Sequence, residues 1–167
     1  KVVDITHNIA AYNLLQTAYI VRNAYKFFPE GSIHIVAVDS FYHKNRKNIL
    51  AKIDGHYFIC ADNGITNLMF FDIKPEAIYE ITLNNRFDDK VIFPATEIFV
   101  PAAMHLYKGG LPEVIGRKIK SIKDVSFPRA IYNENEKMIV GEVMYVDNFG
   151  NVVSNISRKF FDKYASV

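Results

Sequence analysis

Ser32-Ile33-His34-Ile35-Val36-Ala37-Val38-Asp39 is the stretch whose reading decides the fold. It is rich in β-branched residues and apolar almost throughout. That pattern predicts a strand buried on both faces, as in a parallel sheet. Upstream, Leu15, Ala18, Tyr19, Val21, Ala24, Tyr25 and Phe28 recur at helical spacing. Asn8 is a candidate cap for that helix, and Pro29 with Gly31 ends it. Before it, residues 2–5 (VVDI) read as a short strand. Strand, helix and strand within about forty residues suggest a βαβ unit and a largely parallel sheet.

Downstream, residues 49–53 and 57–61 read as strands joined at Asp54-Gly55, a hairpin signal. A short helix is expected over 66–71 and a strand over 79–83. A helix over 97–108 is ended by Gly109-Gly110, and another helical turn is expected over 112–116. After Lys118 the pattern changes to short β-like runs at 130–132, 138–146 and 152–156, with a helix beginning at Arg158. A domain boundary is expected near residues 126–128, giving an α/β domain over 1–126 and a β-rich domain over 127–167.

Half of the 167 residues are hydrophobic and 23% are charged, a globular balance. Twenty basic and 18 acidic side chains leave a net charge of +2. That argues against nucleic acid or an anionic membrane as partner. The run His43-Lys44-Asn45-Arg46-Lys47 reads as a solvated loop. The single cysteine, Cys60, lies in an apolar run and is expected to be buried. There is no cysteine framework, signal peptide or long apolar span, so the expected location is cytoplasmic. The chain opens at Lys1 inside an apolar run, which suggests that an N-terminal piece precedes it.

Ligands of parallel sheets sit beyond the carboxyl ends of the strands. Asp39 ends the best strand, and Arg46 follows seven residues later. A loop of that length can return the guanidinium to the carboxylate and orient it. From spacing alone, the plainer reading makes Asp39 a turn residue and Arg46 a surface charge. His7, His34, His43, His56 and His105 have no metal-ligand spacing, so no metal is expected. His34 has the opposite strand parity to Asp39 and lies roughly 17 Å from it along a strand. It is expected in the core or on a sheet face. His43 lies within the Asp39–Arg46 loop and can reach the pair, though a solvent-facing place is the simpler expectation. Asp62-Asn63-Gly64 reads as an ordinary turn. So does Asp147-Asn148-Phe149-Gly150-Asn151, but a hairpin does not require its Phe. An exposed aromatic beside Asn and Asp can stack on and hydrogen-bond a purine.

Five segments together resemble one family. They are VDITHNI (3–9), YKFFPEGSIHIVAVD (25–39), HYFICADNGI (56–65), FPATEIFVPAAMH (93–105) and GEVMYVDNFGNVVSNI (141–156). They run in order and at plausible spacing. The family is the S-adenosylmethionine hydroxide adenosyltransferases, related to fluorinase and chlorinase. The resemblance implies a Rossmann-like N-terminal domain, an incomplete β-barrel-like C-terminal domain and a homotrimer. Its reaction is attack of water on ribose C5′ of S-adenosylmethionine, releasing adenosine and L-methionine without a cofactor.

Residue by residue, the resemblance places the water-activating Asp and Arg at Asp39 and Arg46. Phe93 opens a substrate-contact segment. Asp147 falls where the family's Asp meets the methionine amino group, and Phe149 and Asn151 fall where its residues meet adenine. The family's FHGRD motif reads Phe93-Pro94-Ala95-Thr96-Glu97 here, so Pro94 stands where a catalytic His is expected. His43 is a conjectural substitute. The family's first strand, with a ribose-binding Asp, would precede Lys1, and the end of its C-terminal domain would follow Val167. Three functions remain open: a hydrolase with a modified water site, a non-catalytic protein that binds S-adenosylmethionine or adenosine, and an enzyme on a related nucleoside with a different nucleophile, for which the sequence offers no named residue.

Overall fold

The Asp54-Gly55 turn organises the main sheet. Both residues take positive φ, 51° and 74°, the pair that a tight two-residue hairpin demands. The turn joins β2 (Asn48–Ile53) to β3 (His56–Ala61) in an antiparallel ladder running from Asn48↔Ala61 to Ile53↔His56. A computed structural model describes residues 1–83 and 91–165 of the chain. It divides into two units, Lys1–Val125 and Ser126–Val167.

In the first unit, β1 (Ile33–Val36) lies parallel to β3, β4 (Ala77–Ile81) antiparallel to β2, and β5 (Gly116–Lys118) antiparallel to β4. The sheet order is β1-β3-β2-β4-β5. The α/β class holds, but the expected largely parallel sheet is a mixed one, with β1–β3 as its parallel pair. The hairpin is the physical reason, since a two-residue turn can connect only antiparallel neighbours. The strand expected over residues 32–39 is shorter, and it is not buried on both faces. His34 and Val36 are buried while Ile35 is 42% exposed, because β1 stands at an edge of this sheet. Residues 2–5, expected as a strand, carry no ladder, and Val2 is 97% exposed. The expected βαβ unit therefore lacks its first strand among the described residues.

Both faces of the sheet are covered. On one, Leu50, Ile59 and Tyr79 pack with Ile98, Phe99 and Ala102. These last come from a π-helical turn (Ala95–Phe99) that runs into α3 (Val100–Tyr107). Phe99 is fully buried, which contributes about 2 kcal/mol. On the other face, Tyr25 stands edge-on to Phe58 and Phe70, and Cys60 Sγ meets Thr66 Oγ1 at 3.4 Å. Tyr25 follows α1 (Leu14–Ala24), and Thr66 lies in α2 (Ile65–Met69). The cap of α1 is Asn13, whose Oδ1 accepts from the Gln16 N–H, rather than the expected Asn8. The N–H of Asn8 is turned to Thr6 Oγ1 instead. A turn of helix, α4 (Pro112–Ile115), leads into β5.

The second unit holds two hairpins, β6 (Ile131–Asn133) with β7 (Met138–Val140) and β8 (Val143–Val146) with β9 (Val152–Ser154). They form separate two-stranded sheets, not a closed barrel, among the described residues. Helix α5 (Arg158–Tyr164) is capped by Ser157. It packs Tyr164 on Tyr132 with ring centroids 4.4 Å apart. No helix among the described residues is long and apolar enough to cross a membrane.

Candidate active site

β1 ends at Val36 and the chain turns at once. Asp39 is therefore not the last strand residue; it lies in the turn beyond the strand's carboxyl end, with φ 49°. Left-handed backbone costs a non-glycine residue about 1 kcal/mol, least for Asp and Asn. The surroundings hold it there. Arg46 Nη1 donates to the Asp39 carbonyl at 2.7 Å and to its Oδ1 at 3.0 Å. The seven-residue spacing thus closes into an ion pair, with side chains 22% and 18% exposed. Of the plain reading, Asp39 is indeed a turn residue, whereas Arg46 is paired rather than a free surface charge. The pair is shielded from bulk water yet reachable.

Sequence reasoning missed one residue of this arrangement. Asn63 is 3% exposed, and its Nδ2 donates to the carbonyls of Val38 and Asp39, both at 3.1 Å. Its Oδ1 accepts from the Ile65 N–H. The sequence signals are an Asn in a turn after a strand, which is too common to single out, and its place in the family-like segment 56–65, to which the resemblance attached no role for Asn63.

His43 is exposed, and its hydrogen bonds lie within its own loop. Its Nδ1 accepts from the Asn45 N–H at 3.4 Å, and its carbonyl accepts from the Arg46 N–H at 2.9 Å. Phe41 and Tyr42 in the same loop are 58% and 57% exposed.

Phe93 and Pro94 lead into the π-helical turn. The Phe93 ring is 60% exposed, while its backbone is held on both sides. Glu97 Oε1 accepts from the N–H groups of Ile92 and Phe93 at 3.1 and 2.7 Å. The Phe93 carbonyl accepts from the N–H groups of Thr96 and Glu97. Such π-turns recur at functional sites. Pro94 itself offers no proton-transfer group.

In the second unit, Asp147, Phe149 and Asn151 share one loop. Asp147 Oδ1 accepts from the backbone N–H groups of Phe149 and Asn151, and Oδ2 accepts from Asn151 Nδ2 at 2.7 Å. The Asn151 side chain, then these backbone donors, hold the Asp147 carboxyl below the ordinary carboxylate range. Gly150, at φ 82°, closes the turn and leaves the Phe149 ring 91% exposed.

Two buried groups stand apart. His34 Nε2 and His56 Nδ1 lie 3.1 Å apart, and His34 stacks on Phe58, a core placement. Burial pushes the Cys60 thiol up to about 12, so no thiolate nucleophile forms there at neutral pH. Among the described residues no group of three or more His, Cys, Asp or Glu side chains is placed to hold a metal ion.

Comparison with known proteins bears on this arrangement. Residues 1–116 match the SAM hydroxide adenosyltransferase N-terminal domain, and residues 141–167 match the C-terminal domain of the same family. A Methanocaldococcus jannaschii protein named (R)-S-adenosyl-L-methionine hydrolase is 24% identical, over 97% of this chain and 58% of its own length. A Thermus thermophilus protein of the same name is 26% identical, over 94% of this chain and 63% of its own. The chain thus spans about three fifths of these curated relatives. An uncharacterized conserved protein from Thermotoga maritima has the same fold at TM-score 0.85. It is 29% identical and is matched over 100% of this chain and 64% of its own. A conserved hypothetical protein from Thermus thermophilus shares the fold at TM-score 0.69 and 23% identity, over 92% of this chain and 59% of its own. By its match over both domains, the chain belongs to the SAM hydroxide adenosyltransferase family.

Proposed function

We propose that this chain hydrolyses (R)-S-adenosyl-L-methionine to adenosine and L-methionine. The observation that carries the reading is the Asp39–Arg46 pair at the carboxyl end of β1. Two curated relatives bear the name of that activity, and their names specify the (R)-sulfonium. The oxygen of water forms the new bond to ribose C5′. The C5′–S electrons pass to sulfur, which leaves as the neutral thioether of methionine. The water proton passes to Asp39 and then to solvent. Arg46 holds Oδ1 and leaves the other carboxylate oxygen to aim the water.

Positioning is the main demand on the protein. A sulfonium leaves without a general acid, and its charge disappears as the bond breaks, so a shielded site favours the step. A proline at position 94 is compatible with such chemistry, since Asp39 supplies the base. Phe93, Asp147, Phe149 and Asn151 are proposed to hold the substrate. The reaction enlists no cofactor or metal. The proposed assembly is a homotrimer, measurable by sedimentation, with a Rossmann-like first domain and a C-terminal domain that completes a barrel-like fold.

The test is incubation with each epimer of S-adenosylmethionine, following adenosine and methionine by chromatography, with Asp39→Asn as control. Adenosine formed from the (R) form and lost with Asp39 supports the reading. Full turnover in Asp39→Asn removes Asp39 from the mechanism. A second reading rests on two separate features: Pro94 at the place of the family's His, and an Asp147-to-Asn151 loop that is fully hydrogen-bonded within itself. It is a protein that binds the adenosyl ligand without turning it over. Saturable binding with no product would establish it.

A further inference from the structure

We propose that Asn63 is a positioning residue for Asp39, and that the Asp62-Asn63-Gly64 turn sets the catalytic loop from both of its ends. The inference rests on the hydrolase reading and adds to it a residue that never touches the substrate.

The loop begins at Asp39 and ends at Lys47, one residue before β2 starts at Asn48. At its first end Asn63 gives one donor to the Val38 carbonyl and one to the Asp39 carbonyl. The Asp39 carbonyl therefore receives two donors, Asn63 Nδ2 and Arg46 Nη1. At the other end the neighbouring Asp62 N–H donates to the Lys47 carbonyl at 2.8 Å. One turn after β3 thus holds the entry and the exit of the loop that carries Asp39, His43 and Arg46.

The turn is itself anchored. Asp62 Oδ1 accepts from the Lys123 N–H at 2.8 Å. Gly64 takes φ 99°, and a Cβ there would run into Val125. Asn63 is 3% exposed, and both ends of its amide are bonded. Burial shields these bonds from solvent competition, so the amide's geometry is transmitted to Asp39.

The chemistry explains the residue type. Two successive carbonyls need two donors from one short, planar group, and a carboxamide offers them. Without them, Asp39 relaxes from its left-handed φ of 49° toward the ordinary backbone regions. Its carboxylate then swings away from the line of attack. A displacement of about 1 Å is enough to cost on the order of 100-fold in rate.

The test uses Asn63→Asp, which keeps the shape and the acceptor for Ile65 but removes both donors. Asn63→Ser, shorter and with one donor, is the companion if the first does not fold. Turnover of (R)-S-adenosyl-L-methionine and amide hydrogen exchange are measured on each folded variant. The expected result is kcat lower by about 10- to 100-fold with KM within about threefold. Exchange across residues 40–47 rises about tenfold or more while β2 and β3 stay protected. A folded variant with kcat within about twofold of wild type, or with an unchanged loop, overturns the proposal. If the wild-type protein gives no adenosine, the hydrolase reading fails by itself. Loop exchange then decides alone whether Asn63 holds Asp39 in place.

Discussion

His34 Nε2 lies 3.1 Å from His56 Nδ1, and both rings are buried beneath the edge of Tyr25. One proton can sit between the two nitrogens, and a second has no acceptor there. Burial, and then His56, lower the His34 pKa from 6.5 to about 4. In the unfolded chain the same ring takes a proton at ordinary pH values near neutrality.

A pH dependence of stability follows. A depressed folded pKa means that the unfolded state binds more protons between the two values. The His34 contribution is complete above pH 6.5 and is lost as pH falls toward about 4. The loss is on the order of 2 kcal/mol. Calorimetry at pH 7.5 and 4.5 is expected to show a drop in Tm that His34→Phe reduces. An equal drop in that variant would assign the acid sensitivity elsewhere.

Arg46→Lys is the sharper test of the site pair. Lysine retains the charge but not the rigid, planar guanidinium whose Nη1 reaches a carbonyl and a carboxylate together. Turnover is expected to fall by about 10- to 100-fold, with the thermal midpoint of the fold nearly unchanged. Steady-state kinetics beside a melting curve separates the two effects.

Pro94→His restores the residue type that the family motif carries at this position. Pro94 has φ −52° and ψ −32°, helical values that histidine adopts without strain. If a proton acceptor there still helps, kcat should rise by about tenfold or more. A value at or below wild type would mean that this site has settled on Asp39 alone.

Phe149→Ala removes an aromatic ring that is 91% exposed and contributes nothing to a core. Stability should hold, while adenosine affinity falls by about 1–3 kcal/mol through lost stacking. Isothermal titration measures it, and unchanged affinity would place the purine elsewhere.

What the sequence determined by itself was local. Asp54-Gly55 dictates a hairpin because its positive φ values are set within two residues. Helical spacing shows which face of the first helix is apolar, but that helix ends at Ala24 and gives way to a 3-10 turn over Tyr25–Phe27, ahead of the Pro29 expected to stop it. The family motifs and the seven-residue gap from Asp39 to Arg46 were equally readable. The tertiary structure decided whatever depends on partners distant in sequence. Residues 2–5 have strand chemistry but carry no ladder, and a strand exists only where a neighbour completes its hydrogen bonds. The strand over 32–39 stops at Val36 and leaves Ile35 partly exposed, with β3 its only flanking strand among the described residues. Asp39 takes a left-handed turn because Arg46, seven residues on, and Asn63, twenty-four residues on, both bond its carbonyl. His34 and His56 become a proton-sharing pair because the parallel register of β1 and β3 brings their side chains to one face. Local periodicity carries no information about such contacts, since their energies arise only when the chain has closed on itself.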